Sequence, residues 1–152
     1  MRLAEFVELF KQIDVEAEWQ EAQYFKDVSL AVRDDKYDYK TSGHDRSHAR
    51  FKRGVYRHTA EIGGEETVLY IGKSEGLTSS IAGRQTRHLG AYKNVEFEGE
   101  ASGKKYRQLM HDYELTALNI SIDYVDMTHM PMAMIPMFER ATIDLFLPLL
   151  NQ

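Results

Sequence analysis

The sequence predicts an α+β fold with a small three-stranded antiparallel or mixed sheet, and three patterns carry that prediction. Two β-prone runs, 54–62 and 66–72, are joined by the glycine pair Gly63-Gly64, which is typical of a tight hairpin. A third run, 119–125, alternates polar and apolar residues in the manner of a half-buried strand. Helical apolar spacing occurs on both sides of these runs. Three strands need helices on at least one face to bury them.

Two helices are predicted before the first strand. Residues 2–13 carry apolar residues at helical spacing, and a second stretch places Trp19, Phe25 and Val28 on one helical face. The segment 34–52 has little apolar periodicity, and we interpret it as a loop or arm.

Three more helices are predicted after the hairpin. The polar run 78–80 can cap a helix that continues to about Leu89. Residues 104–117 place apolar side chains on one helical face. A final helix opens near Pro136, a good first-turn residue, and is ended by Pro148. The predicted order is therefore α-α-β-β-α-α-β-α.

Length and composition indicate one compact domain. Within the 152 residues we distinguish an N-terminal helical extension with a basic arm, 1–53, from a core, 54–152. No run has the length and apolarity of a bilayer-spanning helix, and no secretory signal pattern is present, so we expect a cytoplasmic protein without a membrane partner. Because the chain has no cysteine, a metal could be held only by oxygen or imidazole ligands.

The distribution of charge is more informative than the net charge of −5. Residues 36–57 hold seven basic and two acidic residues, and the segments on either side are acidic. Such a basic band can neutralise phosphates, because charges farther away than roughly 8 Å are largely screened. A flexible solvated loop would give the same pattern. The candidate substrate-binding side chains, from the band and from the second strand end, are Arg46, Arg50, Lys52, Arg53, Arg57 and Lys73.

Tyr56 and Tyr70 occupy corresponding places in the predicted hairpin. If the strands pair about the glycine turn, the two positions face each other within one register step, and both side chains can point to the same face. Gly54 and Gly72 flank them, which suggests that something such as a phosphate approaches the backbone closely. The alternatives are a cross-strand aromatic pair that only packs, and glycines that only end strands.

Three further positions could contribute to the same site. Arg84 and His88 are four residues apart in a predicted helix, so both could reach one phosphate, and Arg87 is the alternative arginine. Glu139 lies among apolar neighbours in the last helix. A carboxylate there is costly unless it binds a cation, so it is a candidate magnesium ligand. Asn151 could hydrogen-bond the tyrosines or belong to a polar tail.

In their order along the chain these residues resemble the motif set of the GIY-YIG nuclease superfamily. The resemblance covers residues 54–151. Ile81 stands where the family usually has leucine, which favours Arg84 over Arg87. The resemblance implies a small sheet with flanking helices, and hydrolysis of DNA with one divalent ion, Mg²⁺ or Mn²⁺. The motifs concerned are Gly54-Val55-Tyr56, Tyr70-Ile71-Gly72-Lys73-Ser74, Arg84 with His88, Glu139 and Asn151.

The resemblance also implies a role for each catalytic residue. Glu139 would hold the metal, and Tyr56 would accept a proton from the attacking water. Tyr70 and Arg84 would position and neutralise the phosphoryl group. His88 would support proton movement, and Asn151 would steady the site.

The expected function is therefore a metal-dependent endonuclease that cuts double-stranded DNA. A compact chain without a separate recognition domain suits a type II restriction-like or a phage-type enzyme; of these we favour the site-specific, restriction-like one, and dimerisation is left open. The alternatives are a phage-type endonuclease of low specificity and a non-catalytic nucleic-acid-binding module on the same fold.

Overall fold

A computed structural model describes residues 2–25, 32–33, 36–37, 49, 51–76, 80–81, 84, 101–115 and 119–151. The fold is of the predicted α+β class. The helices are α1 (Leu3–Lys11), α2 (Val15–Gln20), α3 (Ala101–Asp112) and α4 (Met134–Phe146). The strands are β1 (Gln23–Phe25), β2 (Val32–Arg33), β3 (Lys36–Tyr37), β4 (Gly54–Ile62), β5 (Glu65–Ser74) and β6 (Ser121–Asp126).

The main sheet is antiparallel and has the order β1-β6-β4-β5. Strands β4, β5 and β6 are the three that the sequence predicts. The prediction that a second helix continues through Phe25 is wrong. Helix α2 ends at Gln20, and Gln23–Phe25 form β1, which pairs with β6. That pairing satisfies backbone groups of β6 that would otherwise be unpaired. Just before the predicted arm, β2 forms a small antiparallel pair with β3, which lies near the start of the arm.

The predicted hairpin turn is confirmed. Gly63 and Gly64 have φ values of 61° and 81°, a conformation that only glycine adopts without steric cost. The register farther from the turn differs from the prediction. A bulge next to His58 adds one residue to β5, so that Tyr56 lies opposite Gly72 rather than opposite Tyr70. The two tyrosines are therefore diagonal neighbours.

The two sides of the sheet bury different sets of residues, because successive side chains of a strand point to opposite faces. We call the side that carries Tyr56 the site face. It packs against Ile81 and against Leu109 of α3. We call the other side the helix face, because α2 and α4 cover it through residues such as Trp19 and Phe138.

The last helix follows the prediction closely. It begins at Met134, holds Pro136 in its first turn and ends before Leu147, whose backbone is left-handed with φ 48°. Pro148 then prevents the helix from continuing. The chain next runs beside β5, where the Leu149 and Leu150 amides donate to backbone carbonyls of that strand.

The N-terminal extension is part of the packed structure. Trp19 of α2 is 4% exposed, stacks on Phe138 and donates from its indole nitrogen to the Thr142 hydroxyl at 3.0 Å. Among the described helices, none combines the length and the apolarity needed to span a membrane.

Candidate active site

Three aromatic rings form a compact triangle on the site face. Tyr56 lies 6.2 Å from Tyr70 between ring centroids, and the His58 ring lies 5.6 Å from Tyr56 and 5.8 Å from Tyr70. The side chains of Tyr56 and Tyr70 are also hydrogen-bonded to each other. Tyr56 and His58 are almost completely buried, and Tyr70 is half-buried. The two predicted tyrosines therefore come together, with an imidazole between them.

Both flanking glycines are explained by close approach of protein groups. A Cβ atom at Gly72 would lie 2.5 Å from the Tyr56 hydroxyl oxygen and 2.9 Å from a Tyr70 ring carbon. At Gly54 a Cβ would collide with the Val125 carbonyl of β6. The sequence correctly indicates crowding at both positions, but the crowding groups are the first tyrosine and a neighbouring strand.

Arg84 is held at the end of β5. Its backbone amide donates to the Ser80 carbonyl at 2.9 Å, and its side-chain Nε donates to the Lys73 carbonyl at 3.3 Å. Ile81, one turn before it, is fully buried and donates its amide to the Lys52 carbonyl. Arg84 is close enough for its charge to act on Tyr56.

Glu139 of α4 reaches the same end of β5. Burial raises the pKa of Glu139 above its ordinary value, the Lys73 and Arg84 charges lower it in part, and Glu75 raises it further. A half-buried carboxylate of this kind gains from any added positive charge. Tyr56, Tyr70, Arg84 and Glu139 thus form one electrostatically coupled group, although they belong to separate segments.

Tyr56 is a neutral phenol in this setting. Burial raises the pKa of Tyr56 well above its ordinary value, the adjacent Tyr70 adds to the effect, and Arg84 opposes it only in part. Glu139 raises the pKa of Tyr56 as well. The hydroxyl can therefore donate a hydrogen bond at neutral pH, and it becomes a base only if more positive charge arrives.

Asn151 is tied to β5 rather than to the tyrosine rings. Its side-chain oxygen accepts from the Ile71 amide and its side-chain nitrogen donates to the Ile71 carbonyl, both at 2.8 Å. Ile71 is the residue between Tyr70 and Gly72. Asn151 therefore tethers the end of the chain to the strand that carries Tyr70.

Three basic residues of the band, Lys52, Arg53 and Arg57, make ion pairs or hydrogen bonds within the protein. Arg57 lies on the helix face, makes a two-pronged ion pair with Asp123 at 2.8 Å and is packed between two aromatic rings. Its predicted role in substrate binding does not fit this position. Arg53 donates to the Thr128 carbonyl at 3.0 Å. Lys52 pairs with Asp126 at 3.3 Å but remains partly exposed, so it can still contact a polyanion.

The remaining predicted residues divide between the strand end and segments outside the described ranges. Lys73 forms an ion pair with Glu75 close to Glu139. Ser74, which follows it, is fully buried, and within the described ranges its hydroxyl has no hydrogen-bond partner. The positions that lie outside the described residues are Arg46, Arg50, Arg87 and His88.

His58 is the site residue that sequence reasoning missed. The signal was present, because a residue two positions after Tyr56 in a strand must share its face. It was overlooked because no motif includes it.

The donor set of the site fits a hard divalent cation only in part. Within the described residues, no group of three histidines or acidic residues could hold a metal by itself. Mg²⁺, however, commonly binds through one or two carboxylates and completes its shell with water and substrate phosphates. Glu139, with Glu75 close by, matches that arrangement, so the cation would be held jointly with the substrate.

Comparisons with known proteins add no identification. The chain matches no family model, no curated protein and no solved structure. The case for a function therefore depends on the motif residues and on the geometry of the site.

Proposed function

We propose that this protein is a metal-dependent endonuclease that hydrolyses phosphodiester bonds in double-stranded DNA. The observation that carries the proposal is the meeting of Tyr56, Tyr70, Arg84 and Glu139 in one coupled group. Tyr56 comes from β4, Tyr70 from β5 and Glu139 from α4, whereas Arg84 lies between β5 and α3, and the four follow the motif order of the GIY-YIG superfamily. An aromatic pair that served only for packing would not require an arginine and a half-buried carboxylate beside it.

The chemistry of the group suits phosphoryl transfer. The transition state gains negative charge on phosphorus oxygens, and fixed positive donors stabilise that charge. Arg84, anchored at the end of β5, and Lys73 supply such donors. A Mg²⁺ or Mn²⁺ ion bound by Glu139 would add Lewis-acid stabilisation. Tyr56, hydrogen-bonded to Tyr70, would exchange a proton with the attacking water.

Positive charge also explains how a buried phenol could act as a base. Arg84 already lowers the pKa of Tyr56 in part, and the negative Glu139 acts against it. Compensation of Glu139 by a cation would remove that opposing effect. Proton transfer would then depend on assembly of the complete site on DNA.

A plasmid assay tests the proposal directly. Supercoiled DNA is incubated with Mg²⁺ and either the wild-type protein or Glu139→Gln, and nicked and linear products are measured. We expect cleavage by the wild type and at least a hundredfold lower rate for the variant, since an electrostatic contact in the transition state is lost. Equal rates for the two proteins would reject the assigned site.

The product pattern separates the biological alternatives. Discrete bands from linear DNA would support a site-specific, restriction-like enzyme, whereas a smear would support a phage-type enzyme of low specificity. A non-catalytic binding module also has an observation in its favour, because Tyr56 is buried and its pKa is raised. DNA binding by the wild type without any cleavage over a range of Mg²⁺ and Mn²⁺ concentrations would support that alternative.

A further inference from the structure

His58 is a costly residue for its position. The side chain is 0% exposed and lies in β4, the strand that has a partner on each side. Its direct neighbours across the sheet are Tyr70 on β5 and Ile122 on β6. Burial of a polar imidazole carries a desolvation cost that its contacts must offset, whereas an apolar residue carries none. The neighbours that the imidazole contacts therefore indicate its role.

The contacts of His58 suggest that role. The centroid of its ring lies within 6 Å of the ring centroids of Tyr56 and Tyr70. His58 therefore contacts both of the tyrosines whose side chains are hydrogen-bonded to each other. Because His58 is inaccessible, it cannot contact DNA itself. Any influence on the reaction must pass through the tyrosines.

We propose that His58 is a positioning residue that sets the orientation of the Tyr56 and Tyr70 hydroxyls. The proposal rests on the proposed nuclease function. The imidazole fills the corner of the ring triangle beneath the diagonal pair. Tyr56 also packs closely on Gly72, where even a methyl group would collide with its hydroxyl. Close contacts with His58 and with Gly72 restrict how the phenol can move, and a displacement of about 1 Å in such a site can cost a hundredfold in rate.

The test combines kinetics with a spectroscopic readout. The variants are His58→Leu, which keeps an apolar core, and His58→Asn and His58→Gln, each of which keeps one polar group of the imidazole. Ile122→Val is the matched control, because it alters a fully buried neighbour of His58 outside the site. For each protein, kcat and KM for plasmid cleavage are measured, and the Tyr56 and Tyr70 ¹³Cζ resonances are recorded by NMR.

We expect His58→Leu to lower kcat about a hundredfold with KM changed less than about threefold. The two tyrosine resonances should move, and one of the polar variants should recover at least a tenth of the wild-type kcat. Ile122→Val should leave kcat and the resonances unchanged. A folded His58→Leu protein with wild-type kcat or unmoved resonances would overturn the proposal. The proposal would also fail if Ile122→Val lowered kcat as much as His58→Leu does.

The two proposals fail in different ways. If the wild type does not cut DNA, the nuclease proposal fails, and the tyrosine resonances still decide whether His58 positions the two rings. If the wild type cuts and His58→Leu cuts equally well, only the positioning role fails. A variant that does not fold is replaced in both measurements by His58→Gln, to which the same criteria apply.

Discussion

At the scale of single residues, Tyr56 combines two properties that oppose each other in a base. It is 2% exposed, and burial raises its pKa, yet the proposed role requires it to lose a proton. The same burial holds the side chain against Tyr70, to which it is hydrogen-bonded. The functional form of Tyr56 therefore depends on charges brought by other groups.

Replacement of Tyr56 by phenylalanine should lower the cleavage rate at least a hundredfold and leave the affinity for DNA unchanged. The change deletes one buried hydrogen bond, so the free energy of unfolding should fall by only about 1 kcal/mol. Tyr124→Phe is the control, because Tyr124 is equally buried and lies opposite Tyr56 on β6. Gel-based cleavage and a binding titration measure the two effects. Unaltered cleavage by Tyr56→Phe would exclude it as the base.

The cleavage rate should rise with pH. Since the pKa of Tyr56 is raised, only a small fraction is ionised at neutral pH, and that fraction grows about tenfold per pH unit below the pKa. Single-turnover rates at saturating metal between pH 6.5 and 9 measure the dependence. A flat profile in a range where the protein stays folded would contradict a phenolate mechanism.

Glu139→Gln should be at least as stable as the wild type at pH 7. The pKa of Glu139 is raised in the folded protein, so the protonated form is favoured by folding and the ionised form is penalised. That penalty is absent below the unfolded-state pKa and appears as the pH rises through the folded-state pKa. Urea unfolding of both proteins at pH 7 and pH 4 measures the difference, which should shrink at the lower pH. A variant less stable than the wild type at pH 7 would contradict the explanation.

At the scale of elements, the β4–β5 hairpin determines the geometry of the site. Its turn fixes the pairing near Gly63-Gly64, and the bulge beside His58 then shifts the register by one residue. As a result Tyr56 lies across Gly72 and reaches Tyr70 diagonally. Asn151 holds the outer side of the same strand through both polar groups of its side chain.

Gly72→Ala tests this geometry. The new methyl group must push the Tyr56 hydroxyl away, so kcat should fall about a hundredfold. The control is Gly64→Ala at the turn, where nothing lies close and φ is 81°. That change should cost about 1 kcal/mol of stability through backbone strain and leave kcat intact. If Gly72→Ala cleaved normally, the ring would be free to shift and the close packing would be irrelevant to catalysis.

At the scale of the whole molecule, the two faces of the sheet bury different groups. The helix face is closed by α2 and α4, and the Arg57 guanidinium lies 4.6 Å from the Trp19 ring and 4.8 Å from the Phe146 ring. Burial raises the pKa of Asp123, and its bonds from Arg57 offset the increase only in part. This ion pair is therefore needed mainly because each partner would be costly alone.

Arg57→Met should destabilise the protein by about 3–5 kcal/mol, because it leaves a buried carboxylate without its partner. The loss should be smaller at low pH, since protonation of Asp123 removes the charge, and its raised pKa brings that change closer to neutrality. The double variant Arg57→Met with Asp123→Leu should recover most of the stability. Denaturant unfolding of the single and double variants measures these effects. Loss of DNA binding by the double variant at full stability would instead restore Arg57 to the substrate-binding group.

The sequence alone determined the α+β class, the hairpin turn, the last helix and the identity of the coupled residues. Those features depend on local patterns: a glycine pair, period-2 and helical spacing, and motif order. The sequence also indicated close packing at Gly54 and Gly72, because a glycine within a strand is typical of positions where a Cβ atom would not fit.

Only the tertiary structure decided the diagonal register, the fourth strand, the burial of His58 and the position of Arg57. A bulge changes register without leaving a residue pattern, and β1 forms because the edge of β6 is available to it. Arg57 was predicted to bind substrate because it is basic and lies in a basic band. Alternation along β4 placed it on the opposite face from Tyr56, where Asp123 and two aromatic rings enclose it.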